Sequence, residues 1–348
     1  MRLRIAFVVA LLLAALAARA DTLRVATWHL DLDRTGPGLL LRDIRRGDDA
    51  RLAAIADVIA EVVPDVLVVQ RVDYDLGLRA LMALRDRIAE DGPYYPHLFA
   101  RRPNSGWPTG LDMDGDGRRG GPRDAQGYGT FSGQGGMAIL SRYPLDAGGA
   151  VDFTAMLWRD LPGALLPRWP DGRSFPSDEG QAVQRLSSVA HWAVPLVLPS
   201  GPLTLLAFHA TTPVFDGAED RNGRRNHDEI RFWQLYLNGA FGPAPTRRFA
   251  IIGDANIDPE KGEGRRGAIR ALLADPRLHD PLPGQDTVEW EQTGPLRVSY
   301  ILPSVDLEVA GAGIHWPPEG APGRASAVKA GPHRLVWVDL VLQGAGQR

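Results

Sequence analysis

The sequence predicts a mixed α/β domain built from layered sheets and helices. Three observations lead there. Short apolar runs of strand length recur along the chain. Stretches with apolar residues at helical spacing lie between them. A polar side chain follows almost every apolar run, and a cleft forms where such ends meet at one edge of the layers.

The strand-like runs are Leu23–Trp28, Asp65–Val69, Met137–Leu140, Leu203–Phe208, Phe249–Ile252, Val298–Leu302 and Leu335–Leu342. The first helical stripe is Leu52, Ile55, Ala56, Ile59 and Val63, with Asp48-Asp49 as its cap. Leu78, Leu81, Met82 and Ile88 form a second, stopped at Gly92. Ile230, Trp233, Gln234 and Leu237 form a third, ending at Gly239, and Ile269, Leu272 and Leu273 mark a fourth. The segments 101–136, 155–180 and 311–332 are rich in Gly and Pro and read as irregular chain. No linker composition divides the chain, so residues 21–348 are taken as one domain.

Residues 1–20 read as a secretory leader. Arg2 and Arg4 precede an apolar run from Ile5 to Ala17, and Ala18-Arg19-Ala20 is a small-x-small cleavage site. The run falls short of the roughly 20 residues a membrane span needs. The expectation is a secreted or periplasmic monomer with no span after cleavage. The chain has no cysteine, which excludes thiolate catalysis and thiolate metal sites, and the core must hold the fold without disulfides. Net charge is −3, and removing the leader with its three arginines takes it to −6. That balance disfavours general binding of nucleic acid or acidic lipid, both of which rest on summed positive charge. Lys261 and Lys329 are the only lysines, which reads as a genomic composition bias.

The polar residues at the run ends are His29, Gln70-Arg71, His209 and Asp254, while His333 precedes the last run. Together the segments LRVATWHL (23–30), PDVLVVQRVD (64–73), GGMAILSRYPL (135–145), LTLLAFHATTP (203–213), AIIGDANIDP (250–259), RVSYILPS (297–304) and PHRLVWVDL (332–340) resemble the endonuclease/exonuclease/phosphatase family, in that family's order. The resemblance implies the DNase I-like fold, a four-layer α/β sandwich of two packed sheets between helices. It implies metal-assisted phosphoester hydrolysis, of nuclease or phosphatase type, with a divalent ion such as magnesium or manganese. It assigns catalytic roles to His209, Asp254, Asn256 and His333, and places His29, Gln70, Arg71 and Tyr300 around a phosphate-containing substrate. Nucleic acid is one such substrate, disfavoured here by net charge.

Four positions depart from the family pattern. His29 stands for an Asn, Arg71 for the Glu that is the principal metal ligand, Ser299 for an Asp, and Pro332 for the Asp before the final His. A guanidinium about 5 Å from a divalent ion, at an effective dielectric of about 20, repels it by roughly 6–7 kcal/mol. Two readings follow. In one, Arg71 replaces the metal's charge and the protein binds an anionic ligand without turnover. In the other, His29, His209, His333 and Asp254 hold a transition metal such as zinc or manganese.

A separate run, Asp112-Met113-Asp114-Gly115-Asp116-Gly117, matches the opening of an EF-hand-type loop, with Asp112, Asp114 and Asp116 as candidate ligands for a structural calcium. Its twelfth position is Arg123 rather than Glu, and Asp124 follows.

Overall fold

The computed structural model describes residues 22–342, so the leader-like segment 1–20 lies outside the described residues. Two sheets pack face to face. The first has six strands in the order β12-β13-β1-β2-β4-β3, where β1 is Thr22–His29, β2 Val66–Val72, β3 His97–Phe99, β4 Gly136–Ser141, β12 Val309–His315 and β13 Leu335–Val341. The second has five, β11-β8-β7-β6-β5, from β5 Val151–Asp152, β6 Ala190–Leu196, β7 Leu203–His209, β8 Phe249–Asp254 and β11 Ser299–Pro303. A hairpin of β9 (Val288–Trp290) and β10 (Gly294–Leu296) stands apart from both.

Three apolar layers explain the packing. Val25, Val66, Val68, Ile139, Trp192, Leu205, Ile252 and Val338 fill the space between the sheets. Helices α1 (Leu39–Arg46), α2 (Ala50–Val62), α3 (Arg79–Ile88) and α7 (Arg324–Ala330) cover the outer face of the first sheet. Helices α5 (Arg221–Leu237) and α6 (Gly267–Leu273) cover the second, through Ile230, Trp233, Ile269 and Leu272. The short α4 (Asp178–Val183) lies in the loop region before β6. The fold is the four-layer α/β sandwich. Apolar runs buried on both faces, as in β2 and β8, read as continuous rather than alternating for this reason.

Each apolar run read as a strand is one, and Asp49 caps α2 by accepting from the Arg51 and Leu52 N–H groups. Two readings need correction. Segment 311–332 is not irregular, since it holds most of β12 and all of α7. β12 escaped notice because Gly311 and Gly313 lie against Trp337, and a Cβ on Gly313 would meet that ring at 2.7 Å. Helix α5 begins at Arg221, well before its apolar stripe, because its first half buries Arg225, Asn226, Asp228 and Glu229 instead.

The polar strand ends meet because of how the strands run. β1 runs parallel to β2, and β7 parallel to β8. Parallel neighbours end together, with His29 opposite Gln70 and His209 opposite Asp254.

Candidate active site

The cleft lies where β1 and β2 of one sheet and β7 and β8 of the other end side by side. Gly253 makes the second pair possible. Its φ is +147°, and a Cβ there would sit 1.9 Å from the Phe208 carbonyl oxygen. Only glycine allows β7 and β8 this approach. Asp254 follows, fully buried.

Asp254 and His29 join the two sheets. His29 donates from Nδ1 to Asp254 Oδ2 at 2.5 Å and from Nε2 to Asp31 Oδ1 at 3.0 Å. Burial alone would lower the His29 pKa, but the bonds to the two carboxylates outweigh it and hold the value at about 9. Burial likewise opposes charge on Asp254, and the His29 proton overcomes it, keeping the carboxylate ionised. Near neutral pH the cleft therefore contains a carboxylate–imidazolium–carboxylate chain.

Two further histidines flank it in the opposite state. His209 packs edge-on to His29, with ring centroids 5.1 Å apart at 75°, and its Nε2 lies 3.9 Å from Asp254 Oδ2. His333 stacks on His29 at 4.0 Å and 6°. Burial, reinforced by the positive charge on His29, lowers both pKa values to about 3, so both rings are neutral. The Nδ1 atoms of both are buried without a hydrogen-bond partner. His333 is placed by its own carbonyl, which accepts from Trp28 Nε1 at 3.0 Å, and by an edge contact with Trp290.

Arg71 occupies a β-bulge. The β2–β4 register shifts between Gln70 and Val72, and Arg71 has φ +58°. Its guanidinium reaches Asp33 at 3.0 Å and lies 3.9 Å from Asp31. It is therefore not the unpaired cation that the sequence reading placed beside a metal or a phosphate. Arg51 also approaches Asp31, at 3.4 Å. Three basic side chains, His29, Arg71 and Arg51, thus face three acidic ones, Asp254, Asp31 and Asp33.

The other anticipated residues take supporting positions. The Gln70 side chain is buried and bonds Thr27, its amide donating to Oγ1 at 3.0 Å. Asn256 has φ +53°, a left-handed conformation that Asn tolerates better than most residues. Its side chain donates to the Ala210 carbonyl at 2.8 Å, and its backbone N–H donates to Asp254 Oδ1 at 2.9 Å. Tyr300 does not face the cleft. It is 1% exposed, with its hydroxyl 2.9 Å from the Ile257 and Arg297 carbonyl oxygens. Ser299 sits opposite Asp254 in the β8–β11 ladder, its Oγ buried without a partner.

Asp31 is the residue that sequence reasoning missed. The chain beyond β1 still pairs with β2, with Leu30 N–H donating to Gln70 O and Leu32 N–H to Arg71 O. That pairing holds Asp31 beside His29. Strand alternation could not have placed it, because β1 ends at His29 and Asp31 itself is left-handed at φ +47°.

The acidic loop is arranged differently from expectation. Asp112, Asp114 and Asp124 come together, not Asp116. Asp116 caps Arg118 N–H instead, while Asp124 accepts from Met113 N–H and Gly121 N–H. The acids bond mainly to their own loop.

A two-sheet α/β sandwich with a His/Asp cleft at its parallel strand ends defines a class, and the comparisons name it. The family model "Endonuclease/Exonuclease/phosphatase family" matches residues 40–331, and the chain belongs to that family. Its fold is similar to that of an endonuclease/exonuclease/phosphatase from Beutenbergia cavernae, at 20% identity and TM-score 0.56, covering 93% of this chain and 72% of that one. An endonuclease/exonuclease/phosphatase family protein from Leptotrichia buccalis gives 14% identity and TM-score 0.53, covering 91% and 99%. A beta toxin mutant from Staphylococcus aureus, solved with bound magnesium ions, gives 13% and 0.50, covering 91% and 99%. No curated protein matches the sequence.

Proposed function

We propose that the chain is an exported phosphoester hydrolase working from a histidine-rich cleft, with Asp254, His29, His209 and His333 as its reactive groups. The observation that carries this reading is the split among the imidazoles. One is held protonated between two carboxylates, and two beside it are held neutral. Neighbouring groups with pKa values pushed apart divide into an acid form and a base form at neutral pH.

The roles follow from the charges. The His29 imidazolium stabilises negative charge on a phosphoryl oxygen, oriented by Asp254 and Asp31. A neutral His209 or His333 accepts the proton of an attacking water as its oxygen bonds to phosphorus and the ester P–O bond breaks, the leaving oxygen taking the bonding pair and a proton from solvent. The alternative of an Arg71 receptor for anions is weakened by the Asp33 and Asp31 partners of that guanidinium.

The cleft also contains groups able to hold a divalent ion. When bound, such an ion polarises the phosphoryl oxygens. Magnesium, reported bound in the beta toxin, takes oxygen ligands in near-octahedral array. The residues present do not fit it. The strand ends offer two imidazoles, His29 and His209, beside the single carboxylate of Asp254, while the Gln70 amide is turned to Thr27 and Arg71 after it has no oxygen ligand to give. No step is routed through magnesium.

Export rests on the composition of residues 1–20, and mass spectrometry of the mature N-terminus from a cell fraction tests it, with cleavage after Ala20 expected. The hydrolase reading is tested by assaying p-nitrophenyl phosphate and bis-p-nitrophenyl phosphate between about pH 5 and 9. Turnover that collapses in Asp254→Asn is expected. No turnover of either ester, with or without divalent ions, sinks the reading.

A further inference from the structure

We propose that His29, His209 and Asp254 form a binding site for an imidazole-preferring transition-metal ion of the zinc or cobalt(II) class. The ion takes the place of the proton now shared between His29 and Asp254. This inference does not depend on turnover, because occupancy is measured without substrate.

Donor position is the first argument. One ligand atom from each of the three residues lies within 4.8 Å of the others, and all three residues are buried. Zinc binds nitrogen at about 2.0–2.1 Å and carboxylate oxygen at about 2.0–2.2 Å, so tetrahedral donors stand roughly 3.4 Å apart. His29 Nδ1 and Asp254 Oδ2, now 2.5 Å apart, would open slightly, and His209 Nε2, at 3.9 Å from Asp254 Oδ2, would close slightly. Shifts of about 1 Å suffice.

Ring orientation is the second. The His29 and His209 planes cross at 75°, so their in-plane lone pairs can converge on one point. His333 also lies near His29 and Asp31. Its ring is parallel to His29 within 6°, so their lone pairs run in parallel planes and cannot converge. The geometry therefore selects His209 and rejects His333 as the second imidazole.

The third argument is the state of His209. It is 4% exposed; its buried, unpartnered nitrogen is Nδ1, and the atom facing Asp254 Oδ2, at 3.9 Å, is Nε2, beyond hydrogen-bond reach and so not committed to that carboxylate. A buried imidazole is usually bonded through its ring nitrogens. Two imidazoles and one carboxylate match a three-ligand open site and disfavour magnesium or calcium, which prefer oxygen. Arg71 does not veto the ion, because Asp33 and Asp31 offset its charge.

The test is a titration of the purified chain with cobalt(II) and with zinc, followed by visible absorption and by calorimetry. One ion per chain and the strong visible bands of low-coordinate cobalt(II) are expected. Affinity should fall by about 100-fold or more in His209→Ala and in Asp254→Asn, since even outer-shell changes cost 10–100-fold. It should persist within about threefold in His333→Ala, which keeps every proposed ligand. Circular dichroism of each variant separates lost ligation from lost folding. If His209→Ala does not fold, the wild-type cobalt spectrum and His333→Ala still decide. A wild-type chain that shows no cobalt bands, or that loses binding equally in His333→Ala, overturns the proposal.

Discussion

The cleft and a second buried ionic cluster solve opposite problems. The second cluster is Arg225 and Glu229, one turn apart on α5. Arg225 donates to the carbonyls of Leu186, Gln126, Arg185 and Ser187, at 2.6–2.9 Å. Glu229 accepts from Ser188 N–H and Oγ–H and from Thr211 N–H. Nearby, Asn104 donates to Thr154 and Ser187 carbonyls, and Gln184 to Gln126. This cluster bonds irregular backbone that has no ladder of its own. In the cleft, by contrast, imidazole nitrogens are buried and unused. The difference teaches that burial of charge does not by itself mark chemistry. What sets the cleft apart is two unused imidazole nitrogens gathered beside the His29–Asp254 pair, since isolated unpartnered atoms such as Asn226 Oδ1 and Thr154 Oγ1 also occur around the Arg225 cluster.

That contrast can be broken most sharply at Arg225. Arg225→Ala should destabilise the chain by about 3–5 kcal/mol, as breaking a buried charge network does, and chemical denaturation measures it. A loss below about 1 kcal/mol would mean that the loops hold without the hub.

In the cleft the largest effect should fall on activity. Asp254→Asn should lower kcat by about 100-fold or more, the usual worth of a positioned acid–base group. It should also bring the His29 pKa down from about 9, which NMR titration of the ring reads. A variant with unchanged kcat and an unchanged His29 titration removes Asp254 from the mechanism. The pH profile sharpens the same point. Because His29 must be protonated, kcat/KM should decline as pH rises through about 9, and an activity still rising there would contradict the imidazolium role.

The smallest effect should come from Tyr300. Tyr300→Phe removes a hydroxyl bonded to buried carbonyls and should cost about 1 kcal/mol in stability, with KM unchanged. A raised KM would return Tyr300 to the substrate site.

The fold was legible because it is written in strand cores. Val-Leu-Val-Val in β2 and Ala-Ile-Ile in β8 are apolar enough to be unmistakable. The family was legible in the same segments, together with Gly253-Asp254-Ala255-Asn256. The site was legible only in part. His29, His209, His333 and Asp254 stand at strand ends, so their positions follow from the strands. The state of each did not follow, because it depends on which partner lies across the seam. The sequence reading treated Arg71 as a lone charge, and its partners Asp33 and Asp31 lie in a loop with no apolar pattern to place it. Asn256 shows the same limit. Its side chain ties the end of β8 to Ala210 beyond β7, and its backbone turns left-handed, so Asn256→Ala would disturb the scaffold as well as any ligand contact.

The bond between His29 and Asp254 has a consequence for assembly. Its two ends belong to different sheets, so the pair exists only once the sheets have docked. A free imidazole loses its proton near pH 6.5, whereas His29 keeps its proton to about 9. Between those values, docking the two sheets draws a proton out of solvent. The stabilisation from His29 is complete below about pH 6.5 and is lost as pH rises through about 9. Closure of the sandwich is thus a proton-uptake reaction, and calorimetry in buffers of different ionisation heat should count that proton. An uptake of zero near pH 8 would mean that the seam closes on a neutral ring.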